Sequence, residues 1–451
     1  FAMQDQIVAG VTDALDIELD APLHVARATA DIDALDLYLL GRHHWHERTP
    51  EGLARAVDYF GRAIALDPEM SQAYSGLADA YLLEASYAER DADSAIALAA
   101  PLVDRALALD PDSADAYASQ GILLEMQHDY KGAEDALARA VALNPNHTMA
   151  HMWRGNAVLA QGRLREAFGH YEAAFALDPQ HPAVTHNYLD TLIELGEHDR
   201  AWAVLSNRRA DDTLAEMAAH LALVRADFTE VERLADGLTD DPVTAALLRW
   251  RLEVTRQNFV SAESHLAAAA RSAPDDERVY LAALEHQTLV PGAMQFHGVL
   301  SHWQDGTRLS DKGRLMARAW QAIGQVKRGE MRAAAEALVD ILSNLDEVYP
   351  PLRMKLVSHL LVALEHSGQQ AAYEHWRRAA LAEIPDYVSS GWASWEFQVE
   401  RGYLLAAAGE TDRAMESFRA AGRLGDVSTL RLSGDPRIHD DVGTDALADF
   451  I

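Results

Sequence analysis

The chain has 451 residues, 49% of them hydrophobic, with 70 acidic against 39 basic side chains and no cysteine. A formal charge of −31 repels phosphate backbones, so nucleic acid is disfavoured as a partner of this segment and a basic protein or peptide is attracted. The lack of cysteine excludes disulfides and thiolate metal sites, and no run of 18 apolar residues or basic-then-apolar leader argues for direct membrane insertion or a signal.

Residues 1–32 open with Phe1, Ile7, Val8, Val11 and Leu15 at helical spacing and continue through a linker with Pro22. They read as an N-terminal helix and linker that end a preceding region. Residues 33–206 read as a regular array of helix pairs. In the first pair, helix A carries Leu37, Leu40, Gly41 and His44; helix B carries Ala56, Phe60 and Ala63 and stops at Asp67-Pro68. Between them Thr49 is a helix cap, Pro50 suits the first helical position and Glu51 puts an acid in the first turn, while Gly52 adds nothing to that signal.

The second pair runs from Tyr74 to Pro111, and the interval from Pro68 is 43 residues. That is one repeat plus nine residues, expected in a loop near SYAERDADS. The next units are regular. Pro111, Pro145 and Pro179 are spaced by 34 residues, each closing an Ala-rich helix, with Gly121 and Gly155 at matching phase in the helix before. A fifth pair follows Pro182, with Leu189, Leu192, Ala201 and Leu205.

Residues 207–310 read as degenerate repeats: two short helices over 212–238, a pair over 243–274, and an irregular stretch over 277–310 with Pro291-Gly292 and Gly298. Residues 311–423 restore C-terminal helical pairs, and 424–451, with its turn signals, is a candidate cap or tail. The expected fold is an all-α solenoid of about nine antiparallel helix pairs.

The 34-residue unit has a small residue in helix A, an Ala, aromatic, Ala series in helix B and a closing Pro. It resembles the tetratricopeptide repeat, which implies a right-handed superhelix whose inner wall is lined by helix A and binds peptides. The opening FAMQDQIV, the segment ALDLYLLGRHHWHERTPEGLARAVDYFGRAIALDP and the tail STLRLSGDPRIHD are similar to the repeat region of bacterial multidomain signalling proteins. In those, a class III adenylate cyclase domain or a CadC-like winged-helix DNA-binding domain precedes a TolB-like segment and then the repeats. The resemblance implies the sensory or interaction part of such a protein. It places the chain in the cytoplasm, or in the periplasm if a membrane anchor precedes Phe1.

With Gly41, Ala78, Gly121, Gly155 and Leu189 set at one helix-A position, the inward-facing wall is read at three-to-four spacing. It comprises Tyr38, Arg42 and Trp45; Asp79; Asp115 and Glu125; Met149, Met152 and Asn156; and His186 and Asp190. Apolar anchors beside acids suit an extended peptide or helix with basic character, the Asn156 amide reaching its backbone. The competing reading packs Trp45, Met149 and Met152 against neighbouring helices.

No catalytic motif stands in the sequence, and neither a metal nor another cofactor is expected. His43, His44 and His46 cannot all face one side of a helix, although His147 and His151 are four apart. The expected function is a non-catalytic protein- or peptide-binding scaffold. Alternatives are a small-ligand sensor, with Trp250, Trp303, Trp320, Trp376, Trp392 and Trp395 lining a pocket in the second half, and a homo-oligomerisation module.

Overall fold

A computed structural model describes residues 32–88, 90–206, 212–290, 309–344 and 350–424. The described residues form 21 helices and no strand. They are an all-α solenoid of stacked antiparallel pairs, as expected.

The first pair is α1 (Ile32–His46) with α2 (Pro50–Leu66), followed by α3 (Ser71–Tyr87) with α4 (Ala92–Leu109), α5 (Ala114–Met126) with α6 (Tyr130–Leu143), and α7 (Thr148–Ala160) with α8 (Leu164–Leu177). Next come α9 (Pro182–Glu194) and α10 (His198–Ser206), α11 (Asp212–Val224) and α12 (Phe228–Gly237), and α13 (Pro242–Thr255) and α14 (Phe259–Ser272). Helix α15 (Glu277–Leu289) precedes α16 (Asp311–Lys327) and α17 (Met331–Ser343), α18 (Pro350–His366) and α19 (Gln370–Ser389), and α20 (Trp395–Ala407) and α21 (Thr411–Leu424). The described residues therefore hold ten pairs and α15, against the nine read from the sequence. The stretches 1–31, 291–308 and 425–451, which include the N-terminal helix, Trp303 and the cap, lie outside the described residues.

Each recurring sequence feature has a local cause. The Asp or Asn before each repeat proline caps helix B: the carboxylate or amide oxygens of Asp67, Asp110, Asn144 and Asp178 each accept the backbone N–H two residues on, at 3.0–3.1 Å. The proline cannot continue the helix, and the Asx turn satisfies the chain as it leaves. At the other end, Thr49 accepts the Gly52 N–H at 3.0 Å, as the sequence signal required. Gly52 does more than the sequence suggested, because a Cβ there would lie 2.9 Å from the His44 carbonyl oxygen.

The small helix-A residues admit a large knob from helix B. A Cβ on Gly121 would sit 2.3 Å from Leu137 Cγ, and one on Gly155 would sit 2.5 Å from the Tyr171 ring. The same arrangement returns late in the chain, where Gly402 faces Phe418 at 2.4 Å. The nine extra residues of the second pair are not a loop insertion. Helix α3 has 17 residues where α5 has 13, α4 has 18 where α6 has 14, and the turn between them is one residue longer. Lengthening both partners together keeps their apolar faces in register.

Contacts divide the chain into two compact units, the first ending at Arg154 and the second beginning at Gly155. In the first, α1 packs on α3 and α3 on α5, so the A helices form one continuous layer. In the second, α9, α11, α13 and α15 stack in the same way, as do α16, α18 and α20.

The second unit also closes on itself. The backbone N–H of Arg165 donates to Ser390 at 2.8 Å, that of Ala393 donates to Glu194 at 3.0 Å, and the Trp392 indole donates to the Gly162 carbonyl at 3.3 Å. Ser394 Oγ donates to the buried Glu194 carboxylate at 2.9 Å, and the Leu424 carbonyl oxygen lies 3.0 Å from His198 Nδ1. Gly391 (φ +104°) and Gly196 (φ +73°) stand at this seam in the left-handed region, with hypothetical Cβ atoms only 3.1–3.3 Å from Arg165, Leu195, Leu424 and Ala393. Leu164 joins Trp392 and Phe397 in one apolar core.

Candidate functional site

The first unit brings together the wall residues of α1, α3 and α5. Tyr38 and Arg42 stand one turn apart on α1, half-buried, and Trp45 follows one turn on, 2% exposed. The Arg42 guanidinium lies 5.1 Å from the Trp45 ring centroid and Arg48 lies 4.4 Å from it. Trp45 then meets Trp153 of α7 edge-on at 6.3 Å, so the first A helix touches the fourth through two indoles.

Asp79 on α3 is 7% exposed, and its Oδ1 has no hydrogen-bond partner among the described residues. Burial pushes its carboxyl up to about 7, with Asp115 adding to the rise while Ser119, Arg42 and His147 oppose it. Asp115 on α5 behaves differently. Burial favours its neutral form, yet the His147 ring at 3.0 Å and the charge of Arg42 outweigh this and hold it below the usual carboxylate range. Burial first, then Asp115 and Asp79, raise the Tyr38 hydroxyl to about 12. For Arg42, burial works against the charge, but Tyr38, Asp115 and Asp79 together raise its basicity. These are the signatures of charges that share one low-dielectric site.

Other wall residues are placed differently. Met149 and Met152 are buried at 4% and 3% exposure, and Glu125 is half-buried. Asn156, His186 and Asp190 belong to the second unit. The Asn156 amide oxygen accepts from Tyr171 Oη at 2.9 Å and from Asn187 Nδ2 at 3.1 Å, joining α7, α8 and α9. His186 is half-buried and Asp190 exposed.

Arg48, His147 and Trp153 were not among the residues read as wall. Arg48 sits in the turn after α1 at φ +53°, where helical phase says nothing about direction. His147 was visible as a histidine four residues from His151, but it pairs with Asp115 while His151 Nε2 lies 2.9 Å from the Pro145 carbonyl. The exposed end of α1 groups His43 and His44 with Glu47 rather than with His46, ligand atoms within 4.8 Å of one another. Glu47 is already within 2.9 Å of His44 Nδ1.

Of the second-half tryptophans, Trp250 packs in one apolar cluster, while Trp392 belongs to another, against which Trp320, Trp376 and Trp395 pack. Trp250 donates to His286 Nδ1 at 3.3 Å, Trp320 is covered by the Lys355 ammonium at 4.4 Å, and Trp392 lies in the seam. No described helix is long and apolar enough to cross a membrane.

Family models for the tetratricopeptide repeat match residues 87–147, 119–182 and 158–224. Residues 87–224 are built of tetratricopeptide repeats. No curated protein sequence matches the chain. Among solved structures, PilF of Pseudomonas aeruginosa is 19% identical, with 52% of this chain and 98% of that one covered at a TM-score of 0.38. A thermophilic repeat protein of Thermus thermophilus is 18% identical, covering 46% and 98% at 0.33. YrrB, described as having an unusual peptide-binding site, is 23% identical, covering 43% and 92% at 0.27. Scores at this level tie the chain to none of these proteins' activities.

Proposed function

We propose that the chain is a non-catalytic scaffold that binds a protein or peptide on the helix-A layer of its first unit. The observation that carries this reading is the polar cluster on three successive A helices: Arg42 over Trp45 at 5.1 Å on α1, the buried Asp79 on α3, and Asp115 on α5, 3.0 Å from His147. A wall needed for packing alone is served by apolar side chains. A buried carboxylate oxygen without a partner among the described residues costs about 1–3 kcal/mol, which a donor from a bound peptide would offset. The resemblance of residues 1–8, 34–68 and 428–440 to bacterial signalling proteins extends the proposal: the scaffold reports to an effector domain of the cyclase or CadC-like kind.

The test is selection of a random peptide library on the immobilised chain. Selected peptides are then titrated by calorimetry against wild type and a Tyr38→Ala, Asp115→Ala double variant. We expect at least a tenfold loss of affinity in the variant. Peptides that bind both proteins equally, or a selection that enriches nothing, would overturn the proposal.

A further inference from the structure

Where α1 turns toward α2, three metal-ligating side chains gather. His43 and Glu47 stand four residues apart and His44 and Glu47 three apart, so both histidines reach one carboxylate. Glu47 Oε1 lies 2.9 Å from His44 Nδ1 and 3.8 Å from His43 Nε2, and the three ligand atoms all lie within 4.8 Å of one another. A hydrogen bond to Glu47 accounts for His44 and leaves His43 too far away to bond. Zinc and similar ions hold imidazole nitrogen and carboxylate oxygen at about 2.0–2.2 Å, which puts neighbouring ligand atoms about 3–3.5 Å apart. The separations of 2.9 and 3.8 Å bracket that spacing.

The surroundings hold the group in place. The His44 ring stacks on Tyr59 of α2, with centroids 5.4 Å and planes 3° apart, which fixes the direction of Nδ1. The Glu47 carboxylate fills the space over Gly52, where a Cβ would lie 2.7 Å from Oε2 and 2.9 Å from Glu47 Cβ. The His43 side chain is 72% exposed, so rotation of its ring closes the remaining gap. The C-terminal end of α1 adds a partial negative charge, which favours a cation there.

We infer that His43 Nε2, His44 Nδ1 and the Glu47 carboxylate form a three-ligand site for a divalent transition-metal ion of the zinc class, with water in its remaining coordination positions. Two imidazoles and one carboxylate suit zinc, nickel or copper, whereas magnesium and calcium take oxygen ligands. A carboxylate only accepts, so in the metal-free chain His44 Nδ1 carries the hydrogen between them. Binding moves that proton through solvent to Nε2, and the ion takes its place between nitrogen and oxygen. His46, next to the group in sequence, is not part of it.

Calorimetric titration of the full chain with zinc chloride, after treatment with a chelator, tests the site. Wild type is expected to bind one ion per chain in a step tighter than its scattered surface histidines provide, and magnesium chloride should give no such step. His43→Ala and Glu47→Gln should each weaken the step by roughly tenfold or more, and His46→Ala should keep it. Nitrogen-15 spectra of the histidine rings do not depend on a variant folding. In wild type, one equivalent of zinc should shift His43 Nε2 and His44 Nδ1 before any other ring nitrogen. A tight step that survives His43→Ala and Glu47→Gln, an equal loss in His46→Ala, or zinc that first shifts other rings overturns the site. So does zinc binding no tighter than that of magnesium.

Discussion

Asp79 sits where its ionisation opposes folding. Its carboxyl is raised to about 7 in the folded chain from 3.8, burial being the main cause. The folded state holds the proton more tightly than the unfolded one, so the penalty is absent below about pH 4, grows as pH rises, and is complete above about 7. The groups facing it are Ser119, Arg42, Asp115 and His147, with Arg48 also feeling its charge. Asp79→Asn should therefore raise the melting temperature, and by more at pH 8 than at pH 5. The difference between the two pH values should be about 2 kcal/mol in stability. A gain of equal size at both would show that Asp79 is ionised throughout. The sequence placed Asp79 on the wall by helical phase. That Asp115 should ionise so differently follows from His147 beside it, one repeat away, which helical phase within α5 could not indicate.

At the scale of the element, the pairing of helices rests on single contacts between small and large residues. Gly121 faces Leu137 so closely that even a methyl group must move the knob. Gly121→Ala should cost about 1–3 kcal/mol in urea denaturation, the usual range for overpacking. Adding Leu137→Ala should leave a smaller loss than the sum of the two single changes, because each makes room for the other. These contacts were legible from the sequence, since Gly121 and Gly155 share a phase and the knobs Leu137 and Tyr171 share another. The Asx turns at Asp67, Asp110, Asn144 and Asp178 were legible only as prolines, although the preceding residue does the hydrogen bonding. The lengthening of α3 and α4 was misplaced into a loop, because periodicity tells where apolar faces run and boundaries are set by caps such as Asp91, which accepts from Ser94.

For the molecule as a whole, the second unit is held by a seam as well as by its succession of neighbours. Glu194 is central to it: its backbone oxygen accepts from Ala393 and its carboxylate from Ser394. An open repeat array loses stability locally when one repeat is weakened, since each unit leans on its neighbours. A closed one couples distant segments. Glu194→Ala should speed amide hydrogen exchange in residues 182–206 and 392–407 together. Faster exchange confined to 182–206 would show that the seam carries no coupling.

The sequence by itself determined the helix pairs and their phase, because these depend on contacts three, four or about 16 residues apart that repeat every 34. The tertiary structure decided where distant repeats meet: Trp45 against Trp153 in the first unit, and Gly162, Glu194 and His198 against residues 390–424 in the second. Those meetings depend on small rotations accumulated from repeat to repeat. No local pattern records their sum, yet it sets which side chains share a site and whether a unit closes.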